Sequence, residues 1–371
     1  MILGTRPEAI KLCPLISAFR ADPFAEALQP VICVTGQHRE MLDQVLRVFE
    51  IRPDFDLQLM HPGQSLPGLT ARLCTALETV FAETRPALTI VQGDTTTTLC
   101  GALSSFYARV PVAHVEAGLR TFDLSAPFPE EMNRVLTTRL ASLHFAPTRT
   151  AAGNLLKEGV AEDSIEITGN TGIDAVLAIR DRLEAGVSSG LQIALDEYKK
   201  PIVVTAHRRE SFGADFESIC RAIAQLAKRE DVQIVWPVHR NPHVLGPVEA
   251  ALGGKANVIL TEPLEYLPFV DLMRRAYLLI TDSGGIQEEA PSLGKPVLVL
   301  RQTTERPEAV EAGTVKLVGT DAARIVSESV ALLEDRAAYE RMARLHNPYG
   351  DGKAAARIAR RISSFLNVPL P

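Results

Sequence analysis

Short, unbroken apolar runs alternate along this chain with longer helical stretches, and that alternation leaves few folds open. The runs at 31–35, 88–91, 112–115, 143–146 and 165–168 occupy the first half. A second series follows at 202–205, 233–237, 258–260, 278–281 and 297–300. A strand with one wet face alternates apolar and polar residues. These runs do not, which is the pattern of parallel strands covered on both faces. The stretches between them suit helical βαβ crossovers. A chain of 371 residues is too long for one ordinary core. The expected fold class is therefore α/β, with two Rossmann-like, doubly wound domains. Their boundary is expected between residues 169 and 200, where Asp174 to about Glu197 reads as a helix plus a polar connector containing Gly186, Ser188, Ser189 and Gly190.

Bulk chemistry narrows the partners. Hydrophobic residues make up 46% and charged residues 23%, values that suit a globular chain in water. The net charge of −6 argues against nucleic acid or an anionic membrane as the main partner, so any phosphate site must be local. No apolar run approaches the length of a membrane span. Met1 to Pro7 shows no basic stretch followed by an apolar core, so no signal peptide is expected and the expected location is the cytoplasm. Cys13, Cys33, Cys74, Cys100 and Cys220 are scattered and lack metal-ligand spacing, which suggests reduced thiols and no metal site. Only Met1-Ile2-Leu3 precedes the turn Gly4-Thr5-Arg6-Pro7, a short first strand that points to a natural start upstream of Met1.

Ligands of open α/β sheets bind at the carboxyl ends of the strands. In this chain nearly every such end is charged or hydrogen-bonding. Arg6, Glu8 and Lys11 follow the first strand, Gln37 and His38 the second, and Gln92 and Asp94 the next. Glu116 and Arg120 come later, then His207-Arg208-Arg209, His239-Arg240, and Arg301 with Glu305 and Arg306. The most telling end is Asp282-Ser283-Gly284-Gly285, where a strand runs into a helix. Backbone N–H groups at a helix start, with glycines allowing close approach, suit an anion. Glu289, about one turn on, is placed to accept hydrogen bonds from a diol such as ribose. An ordinary strand-to-helix turn fits the same residues.

Asp94, Glu116 and Glu130 stand out among the carboxylates. Asp94 precedes four threonines, so a helix N-cap is the plain alternative. Glu116 ends a strand where a charge serves no packing. Glu130 lies in a first helical turn and could pair with Arg134, and Glu8 could likewise pair with Lys11. Carboxylates that share a site push their pKa values apart, which suits proton transfer in both directions. No GxGxxG follows the first strand, and GxxxxGK[ST], GxSxG and Cys/His metal patterns are absent.

At the level of whole motifs the chain resembles the non-hydrolysing UDP-N-acetylglucosamine 2-epimerases. The resemblance is carried by GTRPEAIK (4–11), TGQHREMLDQVL (35–46), GDTTTT (93–98), HVEAGLRT (114–121), PEEMNR (129–134) and ITGNTGIDA (167–175). It continues through HRRESFG (207–213), PVHRNP (237–242), DSGGIQEEAPSLGKPVLVLR (282–301), TERPEAV (304–310) and NPYGDG (347–352). It implies a GT-B-type arrangement with the substrate in an interdomain cleft. The first domain would be 1–169 plus a final helix in about 353–371, and the second 170–352. It implies reversible epimerisation at C2 of UDP-N-acetylglucosamine, giving UDP-N-acetylmannosamine by anti elimination of UDP through a 2-acetamidoglucal. No cofactor is implied; a homodimer and a role in surface-polysaccharide supply are.

By position, Asp94, Glu116 and Glu130 resemble the family's acid/base carboxylates. Arg6, Lys11 and His207 resemble its diphosphate-positioning groups, Ser283, Gly284 and Gly285 its phosphate cradle, and Glu289 its ribose acceptor. Arg134, Phe269 and Arg306 fall with its substrate-binding positions. Gln37, Glu40, Arg72 and His239 resemble a second, allosteric UDP-N-acetylglucosamine site, although some members have Gln where Glu40 stands. The short first strand departs from the family pattern. A hydrolysing epimerase, a retaining GT-B glycosyltransferase and a nucleotide-sugar-binding regulator are the competing readings. Of these, the glycosyltransferase and the regulator need no cluster of three carboxylates.

Overall fold

The structure is a computed structural model that describes residues 1–36, 39–59, 63–304, 306–344 and 346–370, with 39 and 40 described by backbone alone. The chain forms two compact units, Met1–Ala175 with Tyr349–Pro371, and Val176–Pro348. The change of unit falls inside the helix Thr171–Glu184.

In the first unit, β1 (Ile2–Leu3), β2 (Cys33–Val34) and β3 (Phe55–Asp56) form one parallel sheet. Strands β4 (Thr89–Gln92), β5 (Val112–Val115), β6 (Leu143–Ala146) and β7 (Ile165–Ile167) form another. β1 lies against β4, so the order across both sheets is 3-2-1-4-5-6-7 and the winding reverses between β1 and β4. That reversal is the topological switch point, where parallel α/β sheets open a crevice for ligands. The helix Arg6–Phe19 starts there because Thr5 caps it and Glu8 completes a capping box. The helix Ala354–Phe365 packs on it. Asp174 holds the start of that last helix, accepting from Ala354 N at 3.2 Å and Ala355 N at 2.8 Å.

The second unit has one six-stranded parallel sheet of order 10-9-8-11-12-13. Its strands are β8 (Lys200–Thr205), β9 (Val232–Pro237), β10 (Val258–Thr261), β11 (Leu278–Thr281), β12 (Val297–Val299) and β13 (Val315–Leu317). Ile202, Val204, Ile234, Trp236 and Ile280 on one face are fully buried, and so are Val203, Val235, Val297 and Val299 between and beside them. Both faces are therefore covered, as the unbroken apolar runs require. Here the switch point lies between β8 and β11.

The expected strands are all present, three with the expected limits and the others with ends displaced by a residue or two. β3 and β13 carried no such signal. Each is short, lies at a sheet edge and contains a charged residue, Asp56 or Lys316, so neither is an unbroken apolar run.

Candidate functional site

In the first unit the neighbouring strands β4 and β5 deliver Asp94 and Glu116 from their carboxyl ends. Asp94 is not the helix cap. Thr95 is, accepting from Thr98 N at 3.1 Å. The Asp94 carboxylate instead accepts from Arg134 Nη2 at 2.7 Å, while Asn133 Nδ2 donates to the Asp94 carbonyl at 2.8 Å. Burial pushes the Asp94 carboxyl above its usual range, Arg134 and Lys11 oppose that, and the charge of Glu130 adds to it.

Arg134 does not pair with Glu130 among the described residues. Its second partner is Glu131, at 3.3 Å, one turn earlier. Glu131 is fully buried and also accepts from the backbone N–H groups of Thr121 and Phe122, each at 3.0 Å. Glu130 is thus left at the start of its helix (Glu130–Leu140), close enough for Asp94 to sense its charge.

Glu116 has a left-handed backbone, φ +64°, which costs a side-chain-bearing residue about 1 kcal/mol. Gly118, two residues on, has φ +91°, and a Cβ there would meet the Ala151 carbonyl oxygen at 2.2 Å. This bend points the Glu116 carboxylate toward Lys11 Nζ, Gln92 Nε2 and, at 3.4 Å, Asn170 Nδ2. All three are donors, as an ionised carboxylate requires. Lys11 therefore pairs with Glu116, and Glu8 is a backbone cap rather than its i,i+3 partner. Arg6 is half-buried on the same turn, with no side-chain partner among the described residues. His114 Nε2 lies 2.7 Å from the Gly93 carbonyl, so a neutral ring donating there holds the residue before Asp94. Burial lowers the His114 pKa to about 3.

In the sequence Gln92 is legible only as a strand end, and nothing there marks Glu131 and Asn170 as supports. Gln92 ends β4, and Asn170 sits in ITGNTGIDA, but neither position names its partner. Arg120 was expected in the cleft. The structure buries it in a two-point ion pair with Glu158, at 2.6 and 2.8 Å.

In the second unit, β9, β8, β11 and β12 are adjacent, so their ends bring together His239, His207, Asp282-Ser283 and Arg301. Asp282 is buried, and its Oδ2 accepts from the backbone N–H groups of His207 and Arg208, each at 2.7 Å. His207 Nδ1 lies 3.4 Å from Asp282 Oδ1, with the ring 46% exposed. The His239 ring, expected at a second site, stacks on His207 at 5.5 Å and 9°. Burial lowers the His239 pKa and the charge of His207 lowers it further, while Asp282 opposes both.

Ser283 stands at the N-cap position of the short helix Gly284–Glu289 without a side-chain cap bond, and its N–H already donates to Thr281 Oγ1 at 2.9 Å, so that N–H is not a vacant donor. Arg306 lies over Gly284, where a Cβ would be 2.5 Å from the guanidinium, and its Nε donates to Glu288 Oε1 at 2.6 Å. A Cβ on Gly285 would sit 3.9 Å from Glu289 Oε1, so that carboxylate reaches back over the glycines. Phe269 is half-buried on the helix Tyr266–Arg275. Arg72 is bound to Gln64 in the first unit. Gln37, His38, Glu305 and the Glu40 side chain lie outside the described residues. Among the described residues no cluster of three His, Cys, Asp or Glu suits a metal, and no helix is long and apolar enough to cross a membrane.

The family model described as UDP-N-acetylglucosamine 2-epimerase matches residues 23–363. A UDP-N-acetylglucosamine 2-epimerase of Escherichia coli O157:H7 is 57% identical, over 98% of this chain and 97% of the relative. The crystal structure of UDP-GlcNAc 2-epimerase from Neisseria meningitidis bound to UDP-GlcNAc is similar at TM-score 0.89 and 46% identity, covering 98% of each chain. The Methanocaldococcus jannaschii UDP-GlcNAc 2-epimerase in complex with UDP-GlcNAc and UDP is similar at TM-score 0.76 and 32% identity, again covering 98% of each. The α/β fold with parallel sheets, of the GT-B-like two-domain class, is the fold of these neighbours.

Proposed function

Because this chain belongs to the UDP-N-acetylglucosamine 2-epimerase family, we propose that it interconverts UDP-N-acetylglucosamine and UDP-N-acetylmannosamine without net hydrolysis. The observation that carries the reading is a linked set of charges: Glu116 is bound to Lys11, and Asp94 lies within the field of both Lys11 and Glu130.

The chemistry explains why such a set is needed. No carbonyl adjoins C2 of the sugar, so its proton is not acidic in the ground state. When the C1–O bond breaks, the electron pair leaves with UDP and positive charge develops at C1. A carboxylate then takes the C2 proton, and the C–H pair becomes the C1=C2 bond of a 2-acetamidoglucal. Return of a proton to the other face of C2 and of the UDP oxygen to C1 gives the epimer, with nothing consumed. Two faces require more than one proton-handling group, and Asp94, Glu116 and Glu130 supply them. Asp94, whose carboxyl burial raises, is suited to hold a proton; Glu116, ringed by donors, is suited to accept one.

In the second unit the reading assigns the diphosphate to the Ser283–Gly285 turn, with His207 and Arg306 beside it, and the ribose hydroxyls to Glu289. Cations beside a diphosphate favour UDP departure, and the reading gives Arg6 and Lys11 the same role. Residues Arg72 and His239 belong to the proposed second UDP-N-acetylglucosamine site, and the contact of His239 with His207 would link that site to the diphosphate. A homodimer and a place in polysaccharide supply complete the proposal.

Incubation with UDP-N-acetylglucosamine in D2O, followed by NMR, tests it. The expected product is UDP-N-acetylmannosamine bearing deuterium at C2, with little free sugar. Stoichiometric UDP with free N-acetylmannosamine would establish the hydrolysing alternative instead.

A further inference from the structure

The mechanism uses neither oxygen of Glu8, yet both oxygens of this buried carboxyl accept hydrogen bonds. Its residue is 1% exposed. Oε2 accepts from Gly4 N at 2.9 Å, Thr5 N at 2.7 Å and Thr5 Oγ1 at 2.8 Å. Oε1 accepts from Thr95 Oγ1 at 2.6 Å, with Thr98 Oγ1 at 3.2 Å. One oxygen therefore binds the turn after β1 and the other binds the turn after β4. These are the two strands between which the winding reverses.

What hangs on each turn makes the contact functional. Arg6 and Lys11 follow the first turn, in the helix that Glu8 itself caps. Asp94 immediately precedes Thr95 on the second. The Thr98 hydroxyl gives its one proton to the nearer acceptor, the carbonyl of Gln92 at 2.6 Å, so Thr95 carries the bond to Glu8, and the Gln92 side chain donates to Glu116. The turns are pressed together as well: a Cβ on Gly4 would lie 2.4 Å from Thr35 Oγ1 and 2.5 Å from Thr97 Oγ1. β1 spans two residues, so the Glu8 carboxyl supplies side-chain bonds across the gap that the strands do not bridge with a ladder.

We propose that Glu8 is a positioning residue for the epimerase reaction, setting the Lys11–Glu116 pair in register with Asp94 through Thr95. The inference rests on the proposed function. Misplacing reacting groups by about 1 Å costs about a hundredfold in rate, and a shorter acid creates that kind of error. Glu8→Asp keeps a carboxylate able to cap the helix but cannot reach Thr95 as well.

The test measures turnover of UDP-N-acetylglucosamine and, by calorimetry, UDP affinity, for Glu8→Asp, Thr95→Val and the double variant. Turnover by the wild-type protein is checked first, so its absence indicts the proposed function rather than Glu8. The expected result is kcat lower by about tenfold to a hundredfold in each single variant, with KM and UDP affinity near wild type. A double variant no slower than the slower single variant completes the expected pattern, since both remove one connection. Wild-type kcat in Glu8→Asp, or losses that multiply in the double variant, would overturn the proposal. If Glu8→Asp does not fold, Thr95→Val decides alone: lowered kcat at unchanged UDP affinity supports the role, and wild-type kcat refutes it.

Discussion

Lys11 and Glu116 stand 105 residues apart in the chain and form an ion pair at the ends of different strands of the first unit. The lysine comes one helical turn after a capping box, and the glutamate occupies a left-handed bend. Neither local feature requires the other. Their meeting turns two motifs into part of one site.

Asp94→Asn and Glu116→Gln preserve shape and remove one proposed proton-transfer group each. Both are expected to lower kcat by about 10²- to 10⁴-fold. UDP binding, assigned to the second unit, should persist in both when measured by calorimetry. Near-wild-type turnover in both variants would remove the acid/base assignment.

Asp282→Ala is expected to act differently. It strips the acceptor from two backbone N–H groups, those of His207 and Arg208, beneath the proposed diphosphate site. An unsatisfied donor that is fully buried costs about 1–3 kcal/mol, and these two are part-buried, so each costs less than that. The variant should unfold at lower denaturant concentration and bind UDP more weakly, both measurable on the same preparation. Unchanged UDP affinity would show that this turn does not carry the nucleotide.

His114 predicts how stability depends on acid. Its pKa falls from 6.5 in the unfolded chain to about 3 in the fold, because burial disfavours the charged ring. Between those values the unfolded chain binds a proton that the folded one refuses, so stability falls as pH drops below 6.5 toward 3. The contribution is complete above 6.5. Denaturant unfolding at a series of pH values should show a shallower acid loss for His114→Gln, whose amide can still donate to Gly93. Equal slopes in the two proteins would contradict the neutral buried ring. Carboxylate titration is common to both and cancels in the comparison.

Much of the fold was legible because parallel strands covered on both faces must be apolar throughout, and that constraint is written in adjacent residues. The runs ending at Val115, Ala146 and Thr281 have the predicted limits. β3 and β13 escaped because an edge strand tolerates a charge. The carboxylates were legible by type and by motif, whereas their partners were not. Arg134 was as compatible with Glu130 as with Asp94 until the helix Glu130–Leu140 was placed against the end of β4. Arg120 looked like a cleft residue and is a buried structural one.

The sequence by itself determined the α/β class and the family, and it singled out the candidate groups for proton transfer and for contact with a diphosphate. These follow from local pattern and residue chemistry, which need no neighbour distant in the chain. Only the tertiary structure decided that Lys11 answers Glu116, that Glu131 anchors Arg134, and that Glu8 ties the turn after β1 to the turn after β4. A donor and an acceptor are chosen for each other by separations of a few ångströms. Those separations are set by the packing of strand upon strand and helix upon sheet, and they leave no trace in the spacing of residues along the chain.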